Sequence, residues 1–226
     1  MKKRGLKEIA QAGVNTLTPI HSGQIEGDAY LLLNWLDADV DSQRDLGYEV
    51  AKLHMKHNDQ FGFGDKYETK ILKKDNQWNS SWADFYLNQR VMPEVNYAKK
   101  VGRWNDFREH HFQNMMENFL DYYSKNQVLP SLCHGDLWFG NVMFANGKPY
   151  LIDPDAVYAD REFDLAMTTV FGGFNQDFYQ AYSEICPFNP GIEKRLPWYR
   201  FYYLCMHLDL FGESYGDEVD TILAQF

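Results

Sequence analysis

Leu46, Val50, Leu53 and His54 fall on one face of a run that Asp41-Ser42 opens and that reaches about Lys56. That spacing predicts an amphipathic helix. A shorter amphipathic helix is predicted from Gly5 to Ala12. Longer ones run from about Ser81 to Ala98 and from about Trp104 to Lys125, the second ended before Pro130. Further helices are expected near 161–171, 174–184, 191–213 and 216–225. Strand patterns are short. Ala29-Tyr30-Leu31-Leu32-Leu33 is an apolar run within a strand from Asp28 to Trp35. Val142 to Ala145 and Pro149 to Ile152 form two apolar strands around Asn146-Gly147, a pair that tolerates positive φ and signals a hairpin. Residues 58 to 78 read as loop, with Gly62 and Gly64. There is no internal repeat, linker or low-complexity segment.

The chain has 226 residues, 45% hydrophobic and 16% aromatic, enough for one large domain or a domain with a remnant of another. Its formal charge is −10, from 22 basic and 32 acidic residues. That balance argues against a general nucleic-acid or anionic-membrane binder, which needs a basic face. ATP is not excluded, because local charge and magnesium decide its binding. Cys133, Cys186 and Cys205 are widely spaced and show no zinc pattern, so buried thiols in a reducing compartment are expected. No signal peptide and no long apolar run appears, which makes the cytoplasm the expected location.

The chemistry concentrates at His134-Gly135-Asp136-Leu137-Trp138-Phe139-Gly140-Asn141. An Asp followed five residues later by an Asn, then a hairpin and a second Asp at 153, has the spacing of a kinase catalytic loop and its metal ligand. Phosphoryl transfer needs positioned oxygens and charge neutralisation more than covalent help. Asp136 can accept the proton of an attacking hydroxyl. Asn141 and Asp153 can hold magnesium against nucleotide phosphates. An isolated His-Gly-Asp triplet is more often a turn. The Asn spacing, the hairpin and Asp153-Pro154-Asp155 supply the context that the mechanism requires. Two nearby carboxylates also suit a glycosidase, but Asn141 and the hairpin favour magnesium, with Asp153 the ligand and Asp155 a turn acid.

The stretch Leu132-Cys133-His134-Gly135-Asp136-Leu137-Trp138-Phe139-Gly140-Asn141 resembles the fructosamine kinases, or ketosamine 3-kinases, a branch of the aminoglycoside-phosphotransferase-like enzymes. Asp153-Pro154 followed by Asp160-Arg161-Glu162-Phe163-Asp164-Leu165-Ala166 is similar to the family's second motif, with Ala159 where Gly is usual. Leu53-His54, Phe61-Gly62-Phe63, Asn76, Trp78, Trp82, Arg90 and His207-Leu208-Asp209-Leu210-Phe211-Gly212 extend the likeness along the chain. The resemblance implies an α+β, protein-kinase-like fold. Residues 1–36 would be a remnant of the nucleotide-covering lobe with its hinge, and 37–226 the helical catalytic lobe. It implies ATP and magnesium as cofactors. The reaction would be phosphorylation of a sugar 3-hydroxyl on a small sugar-amine or glycated protein, a deglycation repair. The start of the chain departs from the family: there is no Gly-rich phosphate loop, and Lys2 falls where a helix glutamate is usual. A truncated chain with impaired turnover is the expectation, and Lys2 and Lys3 are read as solvated terminal residues.

Other positions carry two readings each. Asn34-Trp35-Leu36 would be the hinge whose backbone bonds adenine; a plain edge strand is the alternative, because backbone binding leaves no side-chain signature. Asp164 is read as a brace accepting backbone hydrogen bonds from the catalytic loop, or as an acid complementing a helix N-terminus. Trp138 is read as a stacking surface for the sugar, or as a core aromatic. His134 is an orienting residue of the loop. His54 and His57 could form a helical pair of metal ligands, but lack a third. A kinase for an aminoglycoside, choline or homoserine, or a catalytically silent sugar-amine binder, remain the alternative functions.

Overall fold

The computed structural model describes residues 2–40, 42–64, 66–68 and 73–226. Asp41 and part of the segment read as loop lie outside the described residues. In chain order the elements are α1 (Lys2–Gln11), β1 (Pro19–Ile25), β2 (Asp28–Leu33), α2 (Gln43–His54), β3 (Lys66–Glu68), β4 (Lys73–Asp75), α3 (Trp82–Tyr86), α4 (Met92–Lys100) and α5 (Asp106–Lys125). Then come β5 (Ser131–Cys133), β6 (Val142–Ala145), β7 (Lys148–Leu151), β8 (Val157–Ala159), α6 (Glu162–Met167), α7 (Gln176–Ile185), α8 (Ile192–Phe211) and α9 (Gly216–Leu223). They form two compact units, Met1–Asn58 with Ser131–Asn189, and Asp59–Pro130 with Pro190–Phe226.

The first unit carries the catalytic-loop motif. Leu46, Val50, Leu53 and His54 are buried on one face of α2, as the spacing predicts. The helix packs on α7 at a small-residue crossing: a Cβ on Gly47 would lie 2.4 Å from the Phe178 carbonyl and 2.9 Å from the Ala181 Cβ. β6 and β7 form the expected hairpin, Val142 opposite Leu151. Asn146 and Gly147 turn it with φ of 52° and 68°. β2 pairs antiparallel with β1, a strand with no sequence signal because polar His, Ser, Gly and Gln interrupt it. β5 and β8 pair antiparallel beneath the catalytic loop and were also unexpected. Each has only three residues, all buried, so neither shows an alternating pattern. α6 stops at Met167 rather than near 171. The Thr168 and Thr169 hydroxyls take the carbonyls of Leu165 and Ala166, each at 2.7 Å, and Gly172 and Gly173 then adopt positive φ.

The second unit is a helical cluster with an aromatic core. Trp82 Nε1 donates to the Tyr199 hydroxyl at 2.9 Å, and the Tyr86 hydroxyl to the Trp198 carbonyl at 2.6 Å. Phe85, Phe119, Phe201 and Tyr202 are fully buried in the same core. The helix expected from Ser81 to Ala98 is interrupted by a π segment at Leu87–Val91. Pro93 has no N–H to give the Gln89 carbonyl, and Arg90 Nη1 serves that carbonyl instead at 2.8 Å. The helix expected from Trp104 begins at Asp106, because Asn105 caps it by accepting the Arg108 N–H. Part of the predicted loop forms the β3–β4 hairpin, with Lys66 opposite Asp75. The Arg90 guanidinium lies over the Phe85 ring at 4.5 Å and bonds the Asn76 side chain.

Candidate active site

β5 feeds the segment His134-Gly135-Asp136 directly into the site. Gly135 turns there with φ of 81°, and a Cβ would lie 2.0 Å from the Asp155 carbonyl, so only glycine fits. The Asp155 N–H closes the same contact by donating to the His134 carbonyl at 2.9 Å. His134 is fully buried. Its Nε2 meets the Ile152 carbonyl at 2.8 Å, and a carbonyl can only accept, so Nε2 carries the proton. Nδ1 is then the acceptor for the Asp136 N–H at 3.3 Å. One imidazole thus ties the residue at 136 to the strand end that precedes 153.

Asn141 is buried, and its Nδ2 donates both to the Asp136 carbonyl at 2.8 Å and to Asp136 Oδ2 at 3.0 Å. Those bonds assign the amide orientation and leave Oδ1 as the atom that could face a metal ion. The hairpin brings the Ile152 N–H to the Asn141 carbonyl at 2.9 Å, so Asp153 leaves the strand beside Asn141. Asp153 has φ of 50°, a left-handed conformation that Asp tolerates better than most residues. Its exposed side chain pairs with Lys2, Nζ to Oδ1 2.9 Å. Lys2 is therefore engaged, contrary to its reading as a solvated terminal residue. The donor set is entirely oxygen, the Asn141 amide and the Asp153 carboxylate, and it fits a hard divalent cation such as magnesium.

Asp164 is fully buried in the first turn of α6. Its Oδ2 accepts the His134 N–H at 2.5 Å and its Oδ1 the Gly135 N–H at 2.8 Å. His54 stands behind it, Nε2 to Asp164 Oδ2 3.2 Å and Nδ1 to the Tyr182 hydroxyl 2.8 Å. Both ring nitrogens of His54 are thus occupied. His57 lies past the end of α2 and faces Ser131 Oγ, so the two histidines do not converge. The ligand atoms of His54, Cys133 and Asp164 lie within 4.8 Å of one another. Burial raises the Cys133 thiol pKa well above its usual value, and its Sγ donates to the Asp160 carbonyl at 3.7 Å. Sequence reasoning missed His54 and Tyr182 as supports: α2 patterning shows only that His54 faces inward.

Trp138 is half exposed and folds back over Gly140, where a Cβ would lie 2.1 Å from its ring. It meets the exposed Phe171 ring edge-on at 6.1 Å, and together they make an aromatic wall. Asn34, Trp35 and Leu36 follow β2 outside any regular element, so the strand expected to reach Trp35 ends at Leu33. The Asn34 N–H and side-chain oxygen are both taken by Thr18, at 3.2 and 2.5 Å. Trp35 is largely exposed, with Nε1 on Asp37 Oδ1 at 2.9 Å. The segment is then anchored to the catalytic hairpin, the Asp39 N–H on the Phe144 carbonyl at 2.7 Å and the Gly147 N–H on Asp39 Oδ2 at 3.2 Å. A separate cavity of about 400 Å³ lies within the second unit, lined by residues such as Phe61, Ser81, Trp82, Tyr123 and Asn126. None of the catalytic-loop residues lines it. No helix among the described residues is long and apolar enough to cross a membrane.

A family model described as fructosamine kinase matches residues 2–226. A protein of Lactiplantibacillus plantarum named "Probable ketoamine kinase" is 50% identical over 217 residues, covering 95% of this chain and 78% of the relative. A crystal structure from Haemophilus somnus 129PT, provisionally identified as a fructosamine-3-kinase, superposes with a TM-score of 0.87 at 25% identity. That match covers 99% of this chain and 77% of the other. Amicoumacin kinase hAmiN, solved with AMP-PNP, Ca2+ and amicoumacin, shares the fold at a TM-score of 0.59 and 13% identity, over 99% of this chain and 75% of its own.

Proposed function

Because the chain belongs to the fructosamine kinase family, we propose that it transfers the γ-phosphoryl group of ATP to the 3-hydroxyl of a ketosamine. The substrate is a small sugar-amine or a sugar adduct on a protein lysine, and the role is deglycation repair in the cytoplasm. The observation that carries this reading is the bond from Asn141 Nδ2 to Asp136 Oδ2, which joins the base to the metal ligand.

Asp136 accepts the hydroxyl proton as the sugar oxygen attacks phosphorus, and the bond to ADP breaks on the far side. His134 and Asn141 hold the Asp136 backbone and carboxylate in place for the acceptor hydroxyl. Asn141 Oδ1 and Asp153 are the residues that would hold magnesium, which when bound neutralises the phosphate oxygens. Asp164 fixes the loop through two backbone N–H groups, and positioning of this kind supplies most of the catalysis in phosphoryl transfer. Trp138 offers its exposed face to the sugar ring. Trp35 and Leu36 carry the backbone groups for adenine, since the Asn34 N–H is already committed to Thr18. Residues 1–36 serve as the nucleotide-side lobe and 37–226 as the catalytic lobe.

Substituting the base tests the reading. Asp136→Asn should lower turnover of a ketosamine by roughly 10²–10⁴-fold, the usual contribution of a general base. Magnesium–nucleotide affinity should stay close to wild type. Near-normal turnover by the variant would reject Asp136 as the base.

A further inference from the structure

We propose that Lys2 is a phosphate-binding residue of this site, an inference that rests on the chain being an ATP-dependent kinase. Its ammonium lies 2.9 Å from Asp153 Oδ1 and donates to the Asp153 carbonyl, also at 2.9 Å. An ammonium has three donors. Two are spent on Asp153, and the third remains for an anion beside the carboxylate. Lys2 uses Oδ1 and leaves Oδ2 for the metal ion. The nucleotide phosphates must meet that ion, so they meet the ammonium as well.

The placement of Lys2 is built into the packing of α1. Gly5 lets the helix backbone rest on the segment after Asp153: a Cβ there would lie 3.1 Å from the Ala156 Cβ and 3.3 Å from the Pro154 Cγ. Leu6 and Ile9 are fully buried beneath it. The buried Tyr158 donates its hydroxyl to Glu8 Oε1 at 2.8 Å, about one and two-thirds helical turns beyond Lys2. Past the helix, the Leu151 N–H donates to the Asn15 carbonyl at 3.0 Å, and Thr16 Oγ1 to the Leu151 carbonyl at 2.5 Å. The strand ends on both sides of Asp153 are therefore stitched to α1 and its exit, and the first turn of the helix is delivered to the metal-ligand carboxylate.

The need for such a cation follows from charge. Asp136 and Asp153 are acidic, and the chain as a whole carries −10. Phosphate brought against them requires compensation beyond one metal ion. The competing role, a lysine that only occupies Asp153 until metal displaces it, has the opposite sign: its removal would tighten metal–nucleotide binding.

Calorimetric titration of the full chain with ATP and with adenosine, each in magnesium, separates the two. Lys2→Ala should weaken ATP at least about tenfold, as loss of a charge-assisted hydrogen bond does. It should leave adenosine unchanged, and Lys2→Arg should keep most of the ATP affinity. Lys7→Ala, an exposed lysine of the same helix, should change nothing. Circular dichroism of each variant should match wild type. Unchanged or tighter ATP binding by Lys2→Ala would overturn the assignment and leave the kinase reading standing. Failure of the unsubstituted chain to bind ATP at all would overturn both.

Discussion

Two glycines of the catalytic loop make opposite demands. At Gly135 the obstacle to a side chain is backbone, the Asp155 carbonyl at 2.0 Å, and φ is 81°. At Gly140 the obstacle is the Trp138 ring, which is exposed on its outer face. Gly135→Ala should therefore cost at least about 2 kcal/mol of stability, since neither the backbone contact nor the left-handed conformation can relax cheaply. Gly140→Ala should leave the urea midpoint nearly unchanged but swing Trp138 aside. If Trp138 stacks on the sugar, that variant raises the acceptor KM several-fold while the KM for ATP holds. Equal effects of the two alanines on stability would show that the loop tolerates what its geometry forbids.

The helices of the second unit bury an acid pair that the catalytic site does not use. Asp209 on α8 and Glu94 on α4 are both almost fully buried. Burial, and then the neighbouring Glu94, push the Asp209 carboxyl up to about 8. Burial also raises Glu94. Arg103, whose guanidinium bonds the Leu208 and Asp209 carbonyls, offsets only part of the cost. A carboxyl with a raised folded-state pKa binds more protons folded than unfolded. Its contribution is most favourable below the unfolded value of about 4 and is lost as pH rises toward 8. The urea midpoint should therefore fall between pH 5.5 and 8.5, and Asp209→Asn should flatten that fall. An equally steep fall in the variant would place the titration elsewhere. This pair also marks where sequence reading ends. Period-3.6 patterning located α2, α5 and α7 because one face of each is apolar. Asn146-Gly147 announced its hairpin because the turn chemistry is local. β5, β8 and the His54–Asp164 contact depend on partners 24 to 110 positions away, and a three-residue buried strand carries no period. The motif residues around Asp136 were legible for the converse reason: one loop and one hairpin bring 134, 136, 141 and 153 together without distant help.

On the proposed reading the molecule binds nucleotide through a metal ion and passes phosphate to a sugar. Binding alone has a thermodynamic signature. Ligand at a hundredfold excess over its dissociation constant stabilises the folded state by about 2.7 kcal/mol, so Mg-ATP should raise the Tm of the wild-type chain. Asp153→Ala should abolish the magnesium-dependent part of that rise, and Asn141→Ala should reduce it. Unchanged rises in both variants would remove these residues from the metal site. Transfer itself is the more direct question. The chain, in excess over a synthetic ketosamine with Mg-ATP, can be followed through a single turnover by phosphorus and proton NMR. The expected product is one phosphomonoester on the sugar 3-hydroxyl with stoichiometric ADP, formed roughly 10²–10⁴-fold more slowly by Asp136→Asn. Nucleotide bound but no phosphate on the ketosamine, or phosphate accepted only by an aminoglycoside, choline or homoserine, would contradict it.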